Sequence, residues 1–141
     1  MPITYHIDPS SQLVRATFTD DVTHEEMVAY FRAVAAEPSY NRGFDRLIDW
    51  RAVRDIACKD VHMLAHLILE STGDIIRPSG DRRALVVRRG AQFGLARMLQ
   101  IILDVAECRA ELCLFHDIEH AEAWLAGRPE AAPASQGSPA S

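Results

Sequence analysis

Apolar and polar positions change their period along this chain, and the changes divide it into strands and helices. Ile3 to Asp8 and Leu13 to Thr19 alternate apolar with polar residues, with Pro9, Ser10, Ser11 and Gln12 between them, which predicts an antiparallel hairpin. At Thr23 the period lengthens. Thr23 and Glu26 form a capping-box pattern, Val22 and Met27 are placed as its hydrophobic staple, and a one-sided helix follows through Met27, Tyr30, Phe31 and Val34 to a stop at Pro38 and Gly43. Alternation returns from Phe44 to Trp50, where Phe44, Arg46, Ile48 and Trp50 share one face and Leu47 lies on the other, so burial of this strand is partly two-sided.

After a loop from Arg51 to Lys59, a helix is expected near Asp60 to Thr72 with Val61, Leu64, Ala65 and Ile68 on one face. Met63 and Leu67 widen its apolar arc beyond what one sheet covers, which predicts a second contact surface. Gly73 to Asp81 is turn-rich. Ala84 to Val87, flanked by Arg82, Arg83, Arg88 and Arg89, has the uniform apolarity of an interior parallel strand. Gly90 opens a helix to about Glu107, with Leu95, Met98, Ile102 and Val105 expected on its core face and Phe93 on the opposite side near Arg97 and Gln100. A last strand, Glu111 to Phe115, leads to Asp117 as N-cap of a helix containing Ala121, Trp124 and Leu125, with Gly127 and Pro129 as its stop.

The order β, β, α, β, α, β, α, β, α predicts an α/β fold: a mixed, mostly parallel sheet with an N-terminal β-hairpin and about four helices. Residues 1–127 would form one domain, and residues 128–141, RPEAAPASQGSPAS, hold too few large apolar groups to fold and are expected to be a disordered tail.

Composition narrows the function classes. A length of 141 residues, 48% hydrophobic and 25% charged, suits one ordinary domain, and a net charge of -5 argues against nucleic acid as a partner. No apolar run approaches the roughly 20 residues of a membrane helix, so membrane insertion is not expected. The start, MPITYHIDPSS, has neither the charged nor the apolar region of a signal peptide, and Cys58, Cys108 and Cys113 are odd in number without CxxC spacing. Reduced thiols and a cytoplasmic location are the expectation.

In such sheets ligands collect where parallel strands end and helices begin. That selects Asp20 with Asp21, Asp49 to Arg51, Arg88 to Gly90, and His116 with Asp117, all at one edge. Asp49, Arg51, Arg88, Arg89 and Gly90 are the candidates for a small anion, which guanidinium forks and helix N–H groups could hold. The plainer reading is solvated arginines beside a strand, since RRG lacks the length and glycine content of a phosphate loop. Cys58, His62 and His66 recur every four residues along one helical strip. HxxxH can bind zinc, but neither a third ligand nor the glutamate of HExxH accompanies it, so surface histidines explain the pattern and no metal or other cofactor is assigned. Cys58 is the cysteine placed most like a nucleophile, at a helix N-terminus, yet packing at a loop-to-helix junction explains it too. No Ser, His and Asp arrangement stands out, no catalytic residue is assigned, and the chain is not read as an enzyme.

YHIDPSSQLVRATFTDDVTHEEM, FDRLIDWRAV and, above all, FGLARM at Phe93 to Met98 resemble the SpoIIAA-like family of small bacterial proteins, related in fold to STAS domains, over residues 2–127. The resemblance implies an α/β layer fold with a mixed sheet. It also implies a homodimer that uses the arc around Met63 and Leu67 or an outward Phe93. STAS relatives bind partner proteins and some bind small ligands, but the SpoIIAA-like branch implies no general reaction. STAS-type antagonists carry a phosphorylatable serine at the start of the helix after the central strand, where this chain has Ile56, Ala57, Cys58, Lys59 and Asp60, so no phosphorylation switch is expected there. The resulting expectation is a non-catalytic protein-interaction or regulatory module whose partner or dimer face draws on Cys58, Asp60, Met63, Leu67, Phe93 and Arg97. The alternative is a binder of a small anionic or amphipathic ligand at the C-terminal edge of the parallel strands.

Overall fold

The computed structural model describes residues 3–40, 43–56, 82–105 and 111–127, together with His62, Ala65, His66 and Ile68. Its elements are β1 (Ile3–Asp8), β2 (Leu13–Val22), α1 (His24–Ala36), β3 (Asp45–Ile56), β4 (Arg82–Val86), α2 (Ala91–Val105), β5 (Glu111–Phe115) and α3 (Ile118–Leu125). The strands lie in the order β1-β2-β3-β4-β5, with β1 antiparallel to β2 and all other neighbours parallel. Three helices have described bounds, against the four or so expected. In the expected helix near Asp60 to Thr72, His62, Ala65, His66 and Ile68 are helical, and its other residues lie outside the described set, as do Cys58, Cys108 and the tail at 128–141.

Local chemistry sets the element ends. The hairpin turn is tied by the Asp8 carboxylate, which accepts from the Ser10 N–H at 3.1 Å and from the Ser10 and Ser11 hydroxyls at 2.7 Å each. These bonds to the ionised form, the Ser10 hydroxyl first, hold the Asp8 carboxyl down to about 2. Thr23 and Glu26 complete the capping box of α1: the Thr23 hydroxyl accepts from the Glu26 N–H at 3.1 Å, and the Glu26 carboxylate accepts from the Thr23 N–H at 2.9 Å. Asp117 caps α3 by accepting from the His120 N–H, and Gly127, at φ +79, follows its C-terminus in the left-handed conformation that glycine adopts without penalty.

Because β2, β3, β4 and β5 are parallel neighbours in chain order, right-handed crossovers place the intervening helices on one face, and α3 after β5 packs on the other. The first face buries Phe18, Met27, Tyr30, Val34, Trp50, Leu85 and Leu99, with Ala65 and Ile68 in the same cluster. The second buries Leu47, Ala84, Val86, Phe115 and Ala121. Each large side chain so covered contributes roughly 1.5–3 kcal/mol.

Three expectations need correction. β3 continues past Trp50 to Ile56 because Thr19 to Val22 of β2 pair with its far end, through register shifts after Thr17 and Asp20. The expected loop from Arg51 onward is therefore strand as far as Ile56. β4 begins at Arg82 and ends at Val86, so Arg82 and Arg83 belong to the strand they were expected to flank.

The largest correction concerns α2, whose buried face is Ala96, Leu99, Gln100 and Leu103. Met98 and Val105, expected in the core, are 54% and 79% exposed, and Ile101 is 50% exposed. Phe93 turns inward instead, half-buried against the core with its ring 5.3 Å from that of His116. The helix is apolar nearly all round, so periodicity offers two stripes of similar strength. The sheet takes the one with small Ala96 and with Gln100, whose amide donates to the Leu112 carbonyl at 2.7 Å and so loses nothing by burial.

Candidate functional site

Of the expected polar residues, Arg88 to Gly90 follow the end of β4 and His116 with Asp117 the end of β5, whereas Asp20 and Asp21 lie within β2, and Asp49 and Arg51 within β3, where Asp49 is level with the last residue of β4. Asp49 and Arg51, two apart on β3, form a two-pronged pair: Arg51 Nε donates to Asp49 Oδ1 at 3.0 Å and Nη2 to Oδ2 at 2.9 Å, while the Arg51 N–H adds a third bond at 2.9 Å. Partial burial works against the Asp49 charge, but the Arg51 fork outweighs it and keeps the carboxyl below its ordinary value. Asp117 and Glu119 also act on Arg51 electrostatically. Across the extended β2–β3 ribbon, Arg54 repeats the arrangement with Asp21 at 3.0 and 3.1 Å.

The helix-side residues are committed as well. Arg88 Nη2 donates to the Val53 carbonyl at 2.7 Å. Gln92 accepts from the Arg88 N–H at 2.8 Å and donates to the Trp50 carbonyl at 3.0 Å, fastening the start of α2 to β3. Gly90, at φ +91, makes the turn between strand and helix, and Arg89 is exposed beside it. The forks of Arg51 and Arg88 thus both face protein acceptors. An anion would have to displace a carboxylate from one and a backbone carbonyl from the other.

His62 and His66 are both exposed and helical. Among the described residues no cluster of three or more His, Cys, Asp or Glu side chains is arranged to hold a metal ion. Cys113 is half-buried on β5, and burial, then Glu111, pushes its thiol up to about 12, the opposite of what a nucleophile needs.

Two residues not singled out by the sequence pattern are buried cations. Arg46 and Arg83 are cross-strand neighbours on β3 and β4, each 1% exposed. Arg46 sits among aromatic rings: it donates to the Tyr30 hydroxyl at 3.2 Å and the Tyr40 hydroxyl at 3.1 Å, with its guanidinium carbon 5.4 Å from the Phe31 and Tyr40 ring centres. The signal for it was its place on the apolar face with Phe44, Ile48 and Trp50. Arg83 borders an apolar cavity of about 30 Å³ lined by Phe18, Tyr30, Trp50, Leu85 and Leu99 among others. That volume holds about two waters.

What remains is the outer side of α2. Met98, Ile101 and Val105 are spaced three and four residues apart and lie on one line along the helix, all large, apolar and at least half exposed. Arg97 stands at the border of this strip and donates to the Gln100 side-chain carbonyl.

The strand order and the placement of helices make this a SpoIIAA-like fold. Among solved structures the chain is similar to an uncharacterised protein of the DUF3478 family with a SpoIIAA-like fold from Shewanella loihica PV-4, at a TM-score of 0.55 and 18% identity, over 87% of this chain and 93% of that one. At that identity the likeness shows the fold alone. No protein-family model matches the chain, and no curated protein matches it. Among the described residues no helix is long and apolar enough to cross a membrane.

Proposed function

We propose that this chain is a protein-interaction module, regulatory in a broad sense, that presents the outer face of α2 to another polypeptide. The observation that carries the reading is the contiguous exposed strip of Met98, Ile101 and Val105. Single exposed apolar residues need no explanation, whereas a line of them at helical spacing marks a contact surface. The face differs from the one expected in part: Arg97 belongs to its rim and Phe93 does not, while Cys58, Asp60, Met63 and Leu67 lie outside the described residues. An anion-binding role for the C-terminal edge is less well supported, because Arg51 and Arg88 are already paired.

Chemical cross-linking in lysate, followed by recovery of the tagged chain, tests this. The wild type should retain a polypeptide, a second copy included, that a Met98→Glu, Ile101→Glu variant of unchanged circular dichroism releases. Identical retention by both proteins would refute the role of this face.

A further inference from the structure

We propose that Tyr40 is a nucleophilic tyrosine, the residue of this chain whose hydroxyl takes up a group from an electrophilic acyl donor. The inference is independent of α2 and starts from a buried cation. Arg46, 1% exposed, makes no contact with a carboxylate among the described residues. Its partners are the Tyr30 and Tyr40 hydroxyls and the rings of Tyr30, Phe31 and Tyr40, and its Nε has no acceptor. Arg83, its cross-strand neighbour, adds a second buried positive charge. In so poorly solvated a setting, a guanidinium without a counter-ion stabilises negative charge as it develops on an oxygen it touches.

The chain has three tyrosines, and their surroundings differ in the way this chemistry needs. Tyr30 shares the Arg46 fork, but it is 4% exposed and closed to a reagent. Tyr5 and Tyr40 are both half-buried. The Tyr5 hydroxyl donates to the Glu37 carboxylate at 2.9 Å, and burial, then Glu37, raises its pKa. The Tyr40 hydroxyl instead accepts from Arg46 Nη2 at 3.1 Å. Tyr40 is also held in place: its N–H donates to the Glu37 carbonyl at 3.1 Å, and its ring meets that of Phe44 edge-on at 5.8 Å. One lone pair of Tyr40 Oη receives the guanidinium and the other is left for attack. In the reaction Oη attacks the acyl carbon and a C–O bond forms. The bond from that carbon to the leaving group breaks, and the leaving group carries off the electron pair and the hydroxyl proton. Arg46 holds the charge that builds on Oη as the proton departs.

Acetylation of the folded full chain with acetylimidazole, followed by peptide mass spectrometry at successive times, is the test. Tyr40 should be acetylated about tenfold faster than Tyr5, with Tyr30 unmodified. Because Tyr5 and Tyr40 are similarly accessible, the ratio of their rates reads the electrostatics and not exposure. Arg46→Gln should bring Tyr40 down to the Tyr5 rate. Glu37→Gln tests the same rule without disturbing the buried cation: it should speed Tyr5 and leave Tyr40 unchanged, which keeps the assignment decidable where Arg46→Gln fails to fold. Equal rates at Tyr5 and Tyr40 in the wild type would overturn the assignment. So would an undiminished Tyr40 rate in a folded Arg46→Gln protein, or a Tyr5 rate unmoved by Glu37→Gln.

Discussion

The two sides of α2 draw on similar residue types and meet opposite fates. The inner side holds Ala96, Leu99, Gln100 and Leu103 and is buried, while the outer side holds Met98, Ile101 and Val105 and is at least half exposed. By hydrophobicity alone the outer side is the stronger candidate for the core, since it has no polar residue. The sheet decides otherwise for two reasons of fit. Ala96 lets the helix approach closely, and the Gln100 amide supplies the hydrogen bond that the Leu112 carbonyl needs. A stripe is buried when its polar groups are satisfied and its shape fits, and surplus hydrophobicity on the other side stays exposed.

Mutations on the two sides should separate cleanly. Leu99→Ala is expected to cost about 2–5 kcal/mol in urea unfolding, because a side chain 1% exposed leaves a cavity. Ile101→Ala, measured below the concentration of any dimer, should change stability by no more than about 0.5 kcal/mol. Equal losses at the two positions would erase the distinction between the faces.

Gln100→Leu sharpens the comparison, since it makes the inner side more hydrophobic. It should nevertheless destabilise by about 1–3 kcal/mol, because the Leu112 carbonyl is left buried without its donor. A stabilising result would mean that apolar character, and not satisfaction of that carbonyl, chose the face.

The smallest effect is expected at the hairpin turn, where contacts are fully exposed. The folded-state pKa of Asp8, about 2, lies below its ordinary 3.8. Its contribution is therefore in place above the ordinary value and is lost as pH falls through the folded one. An NMR titration of the Asp8 carboxyl carbon should show that low midpoint, and Ser10→Ala with Ser11→Ala should return it towards 3.8. An unchanged midpoint would show that the hydroxyls do not cause the shift.

The parts legible from sequence are those with short-range causes. The Thr23–Glu26 box, the turn at Pro9 to Gln12, the strand from Glu111 to Phe115 and the Asp117 cap were expected where they occur, because each depends on residues within a few positions of one another. Asp49 and Arg51 were expected at the C-terminal edge, and they lie within β3, which runs on to Ile56. That they spend their charges on each other follows from strand geometry, which returns every second side chain to the same face. Arg88 could not be read in the same way, since its acceptor is a carbonyl of Val53, 35 positions away. Arg46 was placed on the correct face, but what makes its burial tolerable comes from Tyr30, Phe31 and Tyr40. The end of β3 was misplaced because Arg51, Arg54 and Asp55 look like loop residues until β2 supplies the pairing that makes them strand.

By itself the sequence determined the order of elements, their caps and turns, and hence an α/β fold with a mostly parallel sheet, because periodicity and capping act over a few residues. Tertiary structure alone decided which side of α2 is buried, how far β3 runs and whether the arginines remain available to a ligand. Those outcomes depend on shapes and hydrogen-bond partners brought together from distant parts of the chain. The outer face of α2 belongs to this second kind: it is exposed because the sheet accepted the other side.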